Sequence, residues 1–230
     1  MKSGGRKSGG GPRGLAVPLR SARGRSAASQ RWLTRQLNDP YVAAAKAQGW
    51  RSRAAFKLIE LDERFNLIRP GARVVDLGAA PGGWTQVALR RGAGSVVALD
   101  LLPMDPVSGA TLLQGDFSDP AVAATVQAAL GGRADLVLSD MAPNTTGHTA
   151  TDHLRIVALA DAALDFAMQV LAGGGCFVAK MFQGGSERAM LARMKQSFAT
   201  VRHAKPPASR KQSSELYVVA TGFRGVGPDA

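Results

Sequence analysis

The chain has 230 residues, a formal net charge of +12, 45% hydrophobic residues and a single cysteine. A mean hydropathy near zero excludes a disordered polar chain, and no apolar run approaches the ~20 residues of a membrane helix. Cys176 alone excludes an internal disulfide framework, and with His148, His153 and His203 scattered, no metal is expected. The charge is segregated: residues 1–53 hold 12 Lys/Arg and one acid (Asp39), residues 54–176 hold 8 basic and 13 acidic residues, and residues 177–230 hold 9 basic and 3 acidic. A basic head and tail around an acidic middle is the footprint of a polyanion binder. The charged start lacks the apolar segment of a secretory signal, so a cytoplasmic location is expected.

Residues 1–28 are Gly, Ser, Arg and Lys with few large apolar side chains. They cannot bury enough surface to offset ordering entropy and read as a disordered basic arm. From Ser29, Trp32, Leu33 and Leu37, then Tyr41, Val42 and Ala45, recur at helical spacing. A second helix is predicted from Ser52 through Phe65, so residues 29–69 together read as a helical segment. Pro70-Gly71 breaks the chain.

Beyond the break, strands and helices alternate. Strands are predicted at Arg73–Leu77, Ser95–Leu99, Thr111–Leu113, Ala134–Ser139, Cys176–Met181, Thr200–His203 and Glu215–Thr221. Helices are predicted at Trp84–Arg91, Pro120–Leu130, Asp152–Leu171 and Glu187–Phe198, the third closed by Gly173-Gly174-Gly175. This alternation predicts an α/β domain over residues 70–222, a doubly wound and mostly parallel sheet with helices on both faces. Residues 223–230 form a short tail.

Ligands of such sheets bind beyond the carboxyl ends of the strands. The first strand ends in Asp76-Leu-Gly78-Ala-Ala-Pro81-Gly82-Gly83-Trp84, whose glycines permit close backbone approach but lack the dinucleotide spacing. The second strand supplies Asp100, suited to accept from both hydroxyls of a ribose. The third supplies Asp116, suited to an adenine amine, with Phe117 or a neighbour as an apolar wall. No P-loop lysine follows the glycines, so the set fits an adenosine-bearing cofactor with little phosphate. The fourth strand ends in Ser139-Asp140-Met-Ala-Pro-Asn144 and the fifth in Lys180-Met-Phe-Gln-Gly184. A lysine following an apolar strand needs a partner, which Asp140 supplies, and such a desolvated group is a candidate for proton chemistry.

These residues resemble the FtsJ/RrmJ family of ribose 2′-O-methyltransferases. The anchors are Ser52-Arg-Ala-Ala-Phe-Lys57-Leu58, Asp76 to Trp84, Asp100-Leu-Leu-Pro-Met-Asp105, Gln114-Gly-Asp-Phe117, Ser139 to Asn144, Lys180 to Gly184 and Ser214-Glu215-Leu-Tyr217, spread from about Ser29 to Gly222. The resemblance implies a Rossmann-like, seven-stranded sheet with the last strand antiparallel. It implies a catalytic Lys57, Asp140, Lys180 and Glu215 tetrad, with Lys180 as proton acceptor. S-adenosylmethionine would be held by Gly82, Trp84, Asp100, Asp116 and Asp140. The implied activity is 2′-O-methylation of a uridine ribose in the A-site loop of 23S rRNA, on the large ribosomal subunit, with residues 29–69 as an RNA-docking segment. The oligomeric state is not readable from the sequence, and a monomer is the default expectation.

The chemistry asks for a base at the 2′-oxygen, because a hydroxyl is a poor nucleophile until it loses its proton. In this reading Lys57 supplies a nearby cation, Asp140 holds Lys180, and Glu215 orients a lysine. Two roles for Lys180 stay open, full deprotonation or stabilisation of a developing alkoxide. Arg51, Arg53, Lys205, Arg210 and Lys211 are candidates for phosphate contacts, and Trp32, Tyr41 and Trp50 for base stacking or helix packing. A cytosine C5 enzyme is disfavoured because Cys176 reads as a buried hydrophobe, and an exocyclic-amine enzyme because Asp140-Met-Ala-Pro143 lacks an aromatic stacker. The remaining alternatives are the same chemistry on a transfer RNA or an mRNA cap, and a non-catalytic ribosome-assembly factor that binds RNA.

Overall fold

The computed structural model describes residues 29–30, 33–34, 37–143, 148–182, 187–210 and 212–225. The basic arm over 1–28, Trp32, Asn144, Gln183, Gly184, Lys211 and the tail beyond 225 lie outside the described residues.

Asp39 starts α1 (Pro40–Ala47), its side chain accepting from the Tyr41 N–H ahead of a proline at the first helical position. The second helix, α2 (Ala54–Phe65), closes on Asn66 in the left-handed region at φ 52°. Then follow β1 (Arg73–Leu77), α3 (Gly83–Arg90), β2 (Ser95–Asp100), β3 (Ala110–Gln114), α4 (Pro120–Leu130), β4 (Ala134–Ser139), α5 (Thr149–Val170), β5 (Leu171–Phe182), α6 (Arg188–Ser197), β6 (Phe198–Ala204) and β7 (Glu215–Phe223).

The seven strands form one sheet in the order β3-β2-β1-β4-β5-β7-β6. All neighbouring pairs are parallel except the two made by β7, which runs antiparallel to both β5 and β6. That direction is the one the resemblance implies.

Both faces are covered, which is why the central strands read as continuous apolar runs rather than alternating ones. On one face α4, α5 and α6 pack Val126, Leu164 and Met194 against Val75, Val97 and Phe177. On the other, α2 and α3 pack Leu58, Leu61 and Val87 against Val74, Leu136 and Val178. Each fully buried leucine or valine of this kind stabilises the fold by ~1.5–3 kcal/mol relative to exposure.

Most boundaries shift by three residues or fewer, and one shifts by more. The predicted stop at Gly173–Gly175 lies inside a strand: α5 ends at Val170 and β5 begins at once with Leu171. Gly174 takes a φ of +79°, and the β4–β5 register shifts between Ala134 and Leu136. The glycines therefore absorb an irregularity at the strand's start rather than end the helix.

Candidate active site

The strand registers build the site. Leu77 of β1 pairs with Leu99 of β2 and with Ser139 of β4, and Ser139 pairs with Ala179 of β5. One residue further along each strand stand Asp100, Gly78, Asp140 and Lys180, and Lys180 pairs across to Tyr217. A single row at the carboxyl edge thus carries the loop glycine, two carboxylates and the lysine. Because β7 is antiparallel, its first residue, Glu215, reaches the same edge. A parallel β7 would have left it at the opposite one.

Four charged side chains meet there. Lys180 Nζ donates to the Asp140 main-chain oxygen at 2.5 Å and to Asp140 Oδ1 at 3.1 Å. Lys57 Nζ, delivered by the first turn of α2, lies 3.1 Å from Glu215 Oε1, 3.2 Å from Glu215 Oε2 and 3.7 Å from Asp140 Oδ1. Both lysines are buried, at 6% and 8% exposure, so their charges are compensated within the cluster and not by bulk water. The Tyr217 hydroxyl donates to Asp140 Oδ1 at 2.5 Å, and Lys57 Nζ stands 5.6 Å from the centre of the Tyr217 ring. Burial pushes the Asp140 carboxyl up, but Lys180, Lys57 and the Tyr217 hydroxyl together outweigh it and hold it below the ordinary carboxylate range. Burial, then the Asp140 and Glu215 charges, push the Tyr217 phenol well above its usual value, so it remains a donor.

Tyr217 was legible as part of the Ser214-Glu-Leu-Tyr217 motif, yet no role for it followed from sequence. Its oxygen finds Asp140 only through the β5–β7 pairing.

The residues expected around a cofactor divide by what their side chains do. Asp100 accepts from the Ala80 N–H on Oδ2 and from the Leu102 N–H on Oδ1, both at 2.8 Å. Each oxygen keeps a lone pair, as binding two hydroxyls requires. Asp116 is exposed, with Oδ1 accepting from the Ser118 N–H at 2.8 Å. Phe117 turns instead against Phe166, edge to face at 6.2 Å. Gly82 is the left-handed N-cap of α3 at φ +102°. Trp84 is buried at 3%, and its indole N–H is spent on the Ala54 main-chain oxygen at 2.7 Å, so its side chain locks α3 to α2. A cavity of about 500 Å³ opens beside this loop, lined by Ala80, Pro81, Leu102, Pro103, Met104 and Asp105.

Asp76, on the α3 face of β1, accepts from the Thr85 hydroxyl at 2.7 Å. Burial, opposed by the Thr85 bond and reinforced by Asp140 and Asp100, pushes its carboxyl up to about 7.

Several expected RNA contacts are occupied within the fold. Arg53 pairs with Asp39 at 2.9 Å and donates to the Ala208 oxygen, and Arg210 also reaches Asp39 at 3.3 Å. Lys205 donates to the Ser213 oxygen at 2.6 Å. Trp50 is capped by the Arg90 guanidinium 3.9 Å above its ring. Tyr41 packs on Phe56 and bonds Glu60. Among the described residues no group of three or more His, Cys, Asp or Glu could hold a metal ion, and no helix is long and apolar enough to cross a membrane.

A cleft of about 500 Å³ beside Asp100, on the sheet edge that also carries the Lys-Asp-Lys-Glu cluster, fits a group-transfer enzyme of the Rossmann-like class. The chain belongs to the FtsJ-like methyltransferase family, whose model matches residues 50–223. It is 71% identical over 217 residues to ribosomal RNA large subunit methyltransferase E of Granulibacter bethesdensis, covering 94% of each chain. It is 70% identical over 212 residues to the protein of the same name from Gluconobacter oxydans, covering 92% of this chain and 79% of that one. Among solved structures, a ribosomal RNA methyltransferase from Plasmodium falciparum superposes with a TM-score of 0.70 at 29% identity, over 77% of this chain and 100% of that one.

Proposed function

We propose that this methyltransferase moves a methyl group from S-adenosylmethionine to a ribose 2′-hydroxyl of 23S rRNA in the large ribosomal subunit. The observation that carries the chemistry is the contact of Lys180 with Asp140, ringed by Lys57, Glu215 and Tyr217, in the same row as Asp100. The substrate reading rests on relatives of near-full-length similarity that are named for large-subunit rRNA. The uridine of the A-site loop is the finer target that the family resemblance implies.

The cofactor would supply an electrophilic methyl group on a cationic sulfonium. Asp100 would take its ribose hydroxyls and Asp116 its base. Gly82 would allow close approach, and Trp84 would contribute its main-chain N–H at the positive end of α3, since its side chain is committed elsewhere. Asp140 would face the positive charge.

The chain's own groups then act on the acceptor. An ammonium has three N–H groups, and Lys180 commits two of its directions to Asp140, which fixes Nζ at the edge of the sheet. A 2′-hydroxyl seated there meets a rigid partner: as an ammonium its third N–H stabilises the alkoxide as it forms, and as a neutral amine, having first given a proton to solvent, its lone pair receives the hydroxyl proton. Lys57, held by both Glu215 oxygens, adds a second positive charge close by. The low exposure of the cluster makes these charges act strongly on any oxygen that enters.

The test is labelled-methyl transfer into rRNA, in intact large subunits and in free RNA, by the unaltered protein and Lys180→Ala. Incorporation should vanish in the variant, with S-adenosylmethionine affinity kept within about threefold, because only the acceptor side is disturbed. Retained turnover in Lys180→Ala would sink the assignment.

A further inference from the structure

We infer that Arg51 is a positioning residue for the cofactor cleft, clamping the loops after β1 and β2 to the segment that carries Lys57. This deepens the proposed function and rests on it. Arg51 Nη1 donates to the Pro81 oxygen at 3.1 Å and to the Asp105 oxygen at 2.7 Å, while Nη2 donates to the Pro106 oxygen at 2.5 Å. Its own N–H donates to Gln86 Oε1 at 2.8 Å, and the Gln86 amide returns to the Gly49 oxygen at 3.3 Å. One half-buried side chain therefore ties three main-chain carbonyls from two loops, and its backbone is pinned to α3.

Those carbonyls belong to the cleft. Pro81 and Asp105 both line the cavity, Pro81 with Ala80 from the loop after β1 and Asp105 with Leu102, Pro103 and Met104 from the loop after β2. Ala80 and Leu102 are also the two residues whose N–H groups grip Asp100. The distance between the loops thus sets both the cavity width and the aim of the Asp100 carboxylate. Gly82 is part of the same fit. A Cβ there would stand 3.2 Å from Arg51 Nη1 and 3.2 Å from Val107 Cγ2, so the guanidinium lies along the loop where no side chain intervenes.

The residue type follows from the task. Three carbonyls at divergent angles need a planar, forked donor that is always protonated, whereas a lysine offers one compact ammonium at a single point. Arg51 lies six residues before Lys57, with the Trp84 bond to Ala54 between them. Cofactor loops, α3 and the α2 lysine are consequently one connected unit. From sequence alone this arginine belongs with the phosphate contacts; in the fold its donors point inward, to carbonyls.

The experiment compares unaltered protein, Arg51→Gln and Arg51→Lys by calorimetric titration with S-adenosylmethionine. Steady-state kinetics on large subunits, RNA affinity across salt concentrations and thermal melting accompany it. Arg51→Gln should raise the cofactor Kd and KM by about tenfold, the loss of roughly one to two charge-assisted hydrogen bonds, with kcat within about threefold and the RNA salt slope unchanged. Arg51→Lys should recover part of that affinity. Arg91→Gln, whose pairs with Asp62 and Glu63 lie away from the cleft, calibrates what simple destabilisation does. The inference is overturned if Arg51→Gln weakens RNA binding and lowers the salt slope while cofactor affinity holds. It is equally overturned if cofactor affinity falls no further than in an equally destabilised Arg91→Gln. Failure of the unaltered protein to bind S-adenosylmethionine would overturn the functional reading itself, and the clamp with it.

Discussion

The Tyr217 hydroxyl and the Lys180 ammonium converge on the same oxygen of Asp140, at 2.5 Å and 3.1 Å. Lys57 stands 3.7 Å from that oxygen too. One carboxylate oxygen is therefore the hub through which three donors from β5, β7 and α2 are held in register. Glu215 balances the second lysine from the far side.

Removing the phenol oxygen tests the hub. Tyr217→Phe keeps the ring against Trp84, 5.7 Å between centres, and beneath Lys57, but deletes one donor to Asp140. Stability at neutral pH should fall by ~1.5–3 kcal/mol, the range for a hydrogen bond to a charged group. The sign with pH is defined. Asp140 is depressed in the fold, so its stabilisation is present above the unfolded carboxylate value and lost as pH falls through the depressed one. Tyr217→Phe raises that lower value and leaves the unfolded one unchanged, so the acid loss should be smaller and should finish at higher pH. Chemical denaturation from pH 3 to pH 7 reads this out, and an acid limb superposing on the unaltered protein's would count against the hub.

Asp76 makes the opposite case. Its carboxyl is pushed from 3.8 up to about 7 by burial first, so the folded state favours the proton. The fold bears no penalty below 3.8, a growing one as pH rises, and the full one above about 7. Asp76→Asn retains an acceptor for the Thr85 hydroxyl without the charge. The variant's unfolding free energy should therefore gain on that of the unaltered protein as pH climbs from 4 to 8, by at most ~1.4 kcal/mol per pH unit in the window, with its melting temperature rising in step. A difference that stays flat with pH would show that burial of charge is not the cause.

Gly78 and Met141 form a steric pair across the ends of β1 and β4. Gly78 has a φ of +70°, and a Cβ there would lie 2.2 Å from Met141 Cγ. Gly78→Ala should destabilise by ~2–4 kcal/mol from strain and overlap together. Adding Met141→Ala should recover the overlap portion but not the strain. A double-mutant cycle on denaturation midpoints measures the recovery, and strictly additive effects would contradict the contact.

Much of this architecture was legible because the central strands are short apolar runs bounded by breakers. Arg73–Leu77 and Ala134–Ser139 occupy the expected residues, and Asp119-Pro120 starts its helix as expected. Apolar periodicity reports burial, and burial is what these elements share. The row Asp100, Asp140, Lys180 was legible as strand ends, since ligands of parallel sheets gather there. What escaped was settled by long-range pairing. Tyr217 gains its role from a β5–β7 register, and β7's direction has no local signature.

Charge was the least transparent signal. A run of arginines reads as a nucleic-acid surface, yet Asp39, the lone acid of the first 53 residues, is buried at 9% between Arg53 and Arg210. These pairs fasten α1 and α2 to the loop leading to Glu215. Five N–H groups suit carbonyls and carboxylates inside the protein as well as phosphates outside, and sequence does not say which the guanidinium finds.

The strand order has a consequence for how the molecule comes into being. β7 leaves the ribosome after β5 and β6, yet it belongs between them. Until it inserts, two hydrogen-bonding edges face each other across a missing strand, a state prone to wrong partners. Glu215 and Tyr217 ride in on that strand. A nascent chain stopped short of it already owns Lys57, Asp140 and Lys180, but with two buried ammonium groups and one carboxylate to share. Sealing the sheet and balancing the charge are a single event, so the growing chain acquires its catalyst and its finished fold together.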